Sequence, residues 1–160
     1  MTKIIRAWAL VMATAVAAAA QGNPDLAGTW ALDAAKSDQV PPAARGTATT
    51  PSTTPPSKQL TISVAADNVS IAQGAQPAVF KFDGTETFWF QGGENRGTAA
   101  WDGGRLVISW KREFYAGPRQ GYVNYSGRDV YSVASGSLTV EKTTTGPART
   151  DTKKFVYNKP

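Results

Sequence analysis

Residues 101–115, Trp-Asp-Gly-Gly-Arg-Leu-Val-Ile-Ser-Trp-Lys-Arg-Glu-Phe-Tyr, run a tight-turn tripeptide straight into the longest alternating stretch of the chain. Successive side chains of a strand point to opposite sides. Leu106, Ile108, Trp110, Arg112 and Phe114 therefore share one face, and Val107, Ser109, Lys111, Glu113 and Tyr115 share the other. The first face is apolar except for Arg112, whose guanidinium needs a partner wherever it is taken out of water.

The turn chemistry after this strand sets its pairing. Gly117-Pro118 suits a two-residue turn, and that turn would place Trp110 opposite Tyr125, Arg112 opposite Val123 and Leu106 opposite Asp129. The odd positions of the partner strand, Val123, Tyr125, Tyr131 and Val133, are its apolar side, so this register buries a common face. Gly127 is expected to mark a bulge or bend in a strand of this length.

Short strands bounded by turn signals recur on both sides. Residues 25–33 form a first strand with Trp30 and Leu32 on one face, and 33–38 suit a turn of helix. Strands follow near 59–65, with Leu60, Ile62 and Val64 together, then near 69–73 and near 78–82, with Phe80 and Phe82 together. Asp83-Gly84 is a strong hairpin signal into residues 87–91, where Phe88 and Phe90 are expected on the core side and Trp89 outside. Residues 96–101, 138–144 and 149–158 supply further strands, the last two separated from their predecessors by Ser135-Gly136 and Gly146-Pro147. Residues 40–57 differ: they are mostly Pro, Ala, Thr and Ser, and of the two readings for so long a loop, a functional lid or disorder, the lack of aromatic or aliphatic anchors beyond Val40 favours a disordered loop that contributes little to folding.

Lys3 and Arg6 lead an apolar run from Ala7 to Ala20 that ends in Ala18-Ala19-Ala20. That is the pattern of a secretory signal cleaved before Gln21, which would leave 21–160 as one domain in the periplasm or the medium, with no membrane span. Loss of Lys3 and Arg6 leaves fifteen basic against twelve acidic residues, a net charge of +3. The cations are interleaved with acids, so nucleic acid is not an expected partner. The chain holds no Cys and no His. This excludes disulfides, thiol chemistry and the usual zinc, copper and haem ligands, and no cofactor or metal is expected. Glu86, Glu94, Glu113 and Glu141 sit at turns or on the solvent side, no nucleophile or phosphate-loop motif is present, and the chain is expected not to be an enzyme. Asn68-Val-Ser and Asn124-Tyr-Ser fit the N-glycosylation pattern.

Strands joined by short turns, with no helix of normal length, pair in sequence as an antiparallel meander. The expected fold is all-β, an up-and-down barrel of 8–10 strands that removes both sheet edges, with a two-sheet β-sandwich as the alternative.

Gly28-Thr29-Trp30 on a first strand, followed by such a meander, resembles the calycin barrels, the lipocalins and fatty-acid-binding proteins. Residues 26–37, 98–109 and 138–144 look most like secreted bacterial lipocalin-like proteins of unknown function. The resemblance implies that Trp30 closes one end of the barrel beneath a late-strand cation, for which Arg112 and Arg128 are candidates. Lys153, Phe155 and Tyr157 stand where fatty-acid-binding proteins carry an Arg-x-Tyr pair, so a fatty-acid carboxylate is not implied.

The expected function is binding of a small, mostly apolar molecule inside the barrel, lined by Phe90, Trp110, Arg112, Tyr125 and Tyr131. The alternative is a non-enzymatic structural or interaction module, its barrel filled by Phe80, Phe90, Trp110 and Tyr125 and its outer aromatics, Trp89, Tyr115 and Tyr122, meeting a partner. An interior void of at least about 300 Å³ favours the former. Arg112 has two readings: a structural one, stacked on Trp30 or another ring or paired with Asp129, and a ligand anchor.

Overall fold

The computed structural model describes residues 22–40, 56–74, 76–90 and 94–160. The signal-like leader and residues 41–55 of the Pro/Thr-rich stretch lie outside the described residues. Ten strands follow the sequence pattern: β1 (Gly28–Leu32), β2 (Gln59–Val64), β3 (Asn68–Ala72), β4 (Pro77–Lys81), β5 (Thr87–Phe90), β6 (Glu94–Asp102), β7 (Arg105–Tyr115), β8 (Tyr122–Ala134), β9 (Ser137–Thr145) and β10 (Thr150–Asn158). Among the described residues, one 3₁₀ turn, Pro24–Leu26, precedes them. The turn of helix expected over 33–38 is replaced by an Asp33 cap, whose carboxylate accepts the N–H groups of Ala35 and Lys36, and the segment runs on beside β10 through Asp38 N–H to Lys154 C=O at 2.9 Å.

All ten strands form one antiparallel sheet in the order β4-β3-β2-β1-β10-β9-β8-β7-β6-β5. The meander is as expected, and the first and last strands pair, Ala31 with Asn158 and Leu32 with Tyr157. Closure is not: the backbone ladder stops at β4 and β5, the two strands that Asp83-Gly84 was expected to join as a hairpin. The turn itself forms, with Thr85 N–H on Asp83 Oδ1 at 2.8 Å and Gly84 at φ +83°. Residues 82–86, more than the two of a tight hairpin, separate the strands. Across the seam Thr87 Oγ1 donates to Val79 C=O at 2.7 Å, and the inward rings of Phe80 and Trp89 meet edge to face at 5.0 Å. Side chains, with no ladder, bring the two ends of the sheet together.

Two further sequence expectations are corrected. The β7–β8 hairpin turns through four residues, Gly117–Gln120, with Ala116 N–H bonded to Gly121 C=O at 2.8 Å. Pro118 takes the second position of a turn closed by Gln120 N–H on Gly117 C=O, where its fixed φ is at home. The register is consequently two residues from the expected one: Leu106 faces Tyr131, Trp110 faces Gly127, Arg112 faces Tyr125 and Phe114 faces Val123. A two-residue shift keeps every side chain on its face, so the inward set is unchanged. Gly127 is not a bulge, because pairing runs through it without interruption. A Cβ there would strike the Trp110 indole and the Thr143 carbonyl, so the glycine makes room for the ring lying across β8. Gly97, opposite Trp110 on β6, has the same flatness on the other side.

On β5 the expected parity is inverted. Trp89 pairs with Asn95, which is buried, and packs against the core, while Phe88 and Phe90 face out beside Arg96 and Glu94. The inner face of β6 is set by Asn95, Gly97, Ala99 and Trp101, and the ladder forces odd positions of β5 to the same side.

The interior is one cluster. Leu26, Trp30, Leu60, Ile62, Val69 and Phe80 from the first half meet Leu106, Ile108, Tyr131, Leu138, Val140 and Phe155 from the second. Trp30 and Leu26 are fully buried and seal one end, where the indole Nε1–H donates to Leu26 C=O at 3.0 Å. The cation over Trp30 is Lys159, with Nζ 5.1 Å from the ring, in place of the expected Arg112 or Arg128. Arg128 points outward to Asp102 at 3.6 Å, and Arg112 lies at the opposite end of the inner face, over Tyr125. Removing the Trp30 side chain would cost about 3–5 kcal/mol.

Candidate functional site

Above the sealed end, the inner face turns from apolar to polar at one level. β8 alternates Tyr131, Asp129, Gly127 and Tyr125 inward, and β9 alternates Leu138, Val140, Lys142 and Thr144. The tight turn at Ser135 (φ +50°) and Gly136 (φ +77°) sets the register of these two strands so that Asp129 faces Lys142. Lys142 Nζ lies 2.9 Å from Asp129 Oδ2, and the Trp110 indole donates to Asp129 Oδ1, also at 2.9 Å. The two charged side chains are only 9–10% exposed. A buried carboxylate is thus met by one cation and one neutral donor, the latter set in the glycine-lined space around Trp110.

Next to this cluster lies a cavity of about 130 Å³. Its walls are Ile71, Ala78, Phe80, Trp89 and Ile108, its inner polar end is Asp129, Tyr131 and Gln73, and Gln76, Pro77, Phe88 and Phe90 stand at the β4–β5 seam. Burial pushes the Tyr131 phenol well above its ordinary range, with the nearby negative charge of Asp129 and then Tyr157 adding to the shift and a hydrogen bond with Gln73 opposing it. The Tyr157 phenol is raised too, first by burial and then by Asp129. Both rings therefore present neutral hydroxyl groups at neutral pH.

The structure divides the five expected ligand residues. Tyr131 and Phe90 line this cavity, Tyr131 deep inside and Phe90 at the mouth with 80% of its surface exposed. Phe90 is thus not the core filler that the filled-barrel alternative requires. Trp110 supports the cavity from behind through Asp129. Arg112 and Tyr125 lie further along the inner face, with the guanidinium carbon 5.4 Å from the phenol centroid. Burial lowers the Arg112 proton affinity, and Tyr125 works against that shift. The stacked arrangement is the first of the two readings of Arg112, although the ring is Tyr125, and Asp129 pairs with Lys142 instead. Both residues also border a separate shallow depression of about 350 Å³ with Arg96, Lys111 and Ser126.

Sequence reasoning missed Asp129, Lys142, Gln73 and Trp89 as site residues. For the ion pair a signal was present: counting outward from a two-residue Ser135-Gly136 turn puts 129 opposite 142, on the core parity of both strands. Among the described residues, no three Asp, Glu, His or Cys side chains group as a metal site, and no helix is long and apolar enough to cross a membrane. Glu86, Glu94, Glu113 and Glu141 are all solvent-exposed. Tyr115 and Tyr122 face out, their rings 5.2 Å apart. Comparison with protein-family models, with curated proteins and with solved structures gave no match.

Proposed function

We propose that this chain is an exported, lipocalin-like binding protein, not an enzyme, whose sheet acts as a barrel and holds a small, mostly apolar molecule in the cavity beside Asp129. The observation that carries this reading is the cavity itself, which joins apolar side chains to Gln73, Gln76, Asp129 and Tyr131 and is lined by both strands of the seam where the ladder is missing. At about 130 Å³ it is smaller than the void of about 300 Å³ taken above to favour binding over a filled barrel, so the reading holds only for a cargo of about one ring. Cavities near 150 Å³ lined by Leu, Ile and Phe take up benzene or xenon.

Xenon tests the reading without assuming any ligand chemistry. Under a few atmospheres of xenon, methyl NMR signals of Ile71, Ile108 and Ala78 should shift saturably while Leu60 and Val69 stay in place. Unmoved cavity methyls would show that the interior is filled and would sink the proposal. The filled-barrel alternative draws on one specific feature, the pair Phe88 and Phe90, which are 61% and 80% exposed on the outer side of β5.

A further inference from the structure

The polar end of the cavity narrows the ligand class, an inference that rests on the binding role proposed above. We infer that the site takes a neutral single-ring compound carrying one hydrogen-bond donor, of which phenol is the simplest example, with its hydroxyl on the Asp129 carboxylate and its ring against Phe80 and Trp89.

The volume comes first. About 130 Å³ accommodates one six-membered ring with a small substituent. The walls come next. Phe80 and Trp89 meet at 5.0 Å with planes 72° apart, so one ring presents an edge where the other presents a face, and a third ring can extend that packing. Ile71, Ala78 and Ile108 complete an apolar surround with no hydrogen-bonding group of their own side chains.

The polar end then decides charge and donor sense. A carboxylate offers about four lone-pair sites on two oxygens. Trp110 Nε1 occupies one on Oδ1 and Lys142 Nζ one on Oδ2, so the group retains acceptor capacity at a place that lines the cavity. Tyr131 is already hydrogen-bonded with Gln73. The charged polar group that lines the cavity is thus an acceptor, and the ligand group that matches it is an O–H or N–H. An anionic ligand would bring only acceptors to a lining carboxylate that has no proton to give, while the paired Lys142 does not line the cavity. A cationic ligand gains little, because Lys142 has already neutralised the carboxylate and stands 2.9 Å from it.

The test compares compounds of nearly one size on the folded, mature chain: phenol, toluene, benzylamine and benzoate, with affinity read by methyl and indole NMR titration. Phenol should bind at least about tenfold tighter than toluene, the expectation for a hydrogen bond to a charged acceptor. It should also move the Trp110 indole N–H resonance, which toluene should leave unchanged. Benzylamine and benzoate should both bind more weakly than phenol. In the double variant Asp129→Leu/Lys142→Met, which removes both charges together, the preference for phenol over toluene should disappear while toluene still binds. The wild-type comparison and the indole shift stand even where that variant does not fold. Toluene binding as tightly as phenol, or benzylamine binding tighter, overturns the ligand class and leaves the binding role intact. No binding by any of the four, with no xenon response, overturns both.

Discussion

Lys142→Met isolates the buried ion pair. At 2.9 Å and an effective dielectric constant near 20, the attraction between Lys142 and Asp129 is worth about 6 kcal/mol. Desolvating the two groups costs several kcal/mol each, so the intact pair contributes little net stability. Cutting one partner is another matter, because methionine keeps most of the volume and strands a carboxylate that is only 9% exposed. The expected loss is about 3–5 kcal/mol, a value typical of breaking buried pairs. With a urea slope near 2 kcal/mol per molar, the unfolding midpoint falls by roughly 2 M. Replacing both residues, Asp129→Leu with Lys142→Met, strands no charge and costs about 1–3 kcal/mol for the lost acceptor of the Trp110 indole. The double variant should therefore be more stable than Lys142→Met alone. Urea melts of the three proteins, with slopes compared for two-state behaviour, measure this directly. A Lys142→Met protein within 1 kcal/mol of wild type would show the pair to be solvated and would refute the inward placement of both side chains.

Other perturbations test the same inner face. Gly127→Ala drives a Cβ into the Trp110 indole and should cost about 1–3 kcal/mol, partly recovered by adding Trp110→Phe; a melting temperature unchanged from wild type would mean the ring does not cross β8. Tyr131 and Tyr157 have folded pKa values above the unfolded value near 10, so their folded phenols bind protons that the unfolded chain has released. Stability from these two groups is therefore fully present below pH 10 and falls above it. Their phenolate absorbance near 295 nm should accordingly appear together with loss of the β-sheet circular dichroism, and ionisation well ahead of unfolding would contradict their burial. Lys159→Met should cost no more than about 1 kcal/mol, since the cation over Trp30 sits on an exposed side chain.

The faces of the strands were legible because a period of two is insensitive to a register error of two. Leu106, Ile108, Trp110, Tyr125 and Tyr131 face inward under either pairing of β7 with β8. The register itself was available in the residue types: an indole opposite a glycine packs where an indole opposite Tyr125 crowds, and glycines at 97 and 127 on the two flanking strands both answer Trp110. The parity of β5 was not available locally. Thr87-Phe88-Trp89-Phe90 is apolar on both faces, so its own alternation cannot choose, and the choice falls to the ladder with β6, where Asn95 and Gly97 look unpromising as core.

The location of the open seam follows from the same competition. Pairing of β1 with β10 is a contact between chain ends that no turn signal announces, yet Asp33, Ser37 and Asp38 extend it well past the strand, with Val156 N–H on Ser37 Oγ at 2.9 Å and Lys154 N–H on Asp38 Oδ2 at 2.7 Å. A ten-strand meander whose termini are tied so firmly must end elsewhere if it is to have ends at all. The weakest step is β4 to β5, where one strand is four residues long and the inward rings of Phe80 and Trp89 meet edge to face. A hairpin signal such as Asp83-Gly84 reports only that the chain reverses; whether the reversed strands pair depends on the bulk of the inward side chains, and here that bulk forms the wall of the cavity. The two strands left unpaired with each other are thus the two that supply Ala78, Phe80 and Trp89 to the cavity.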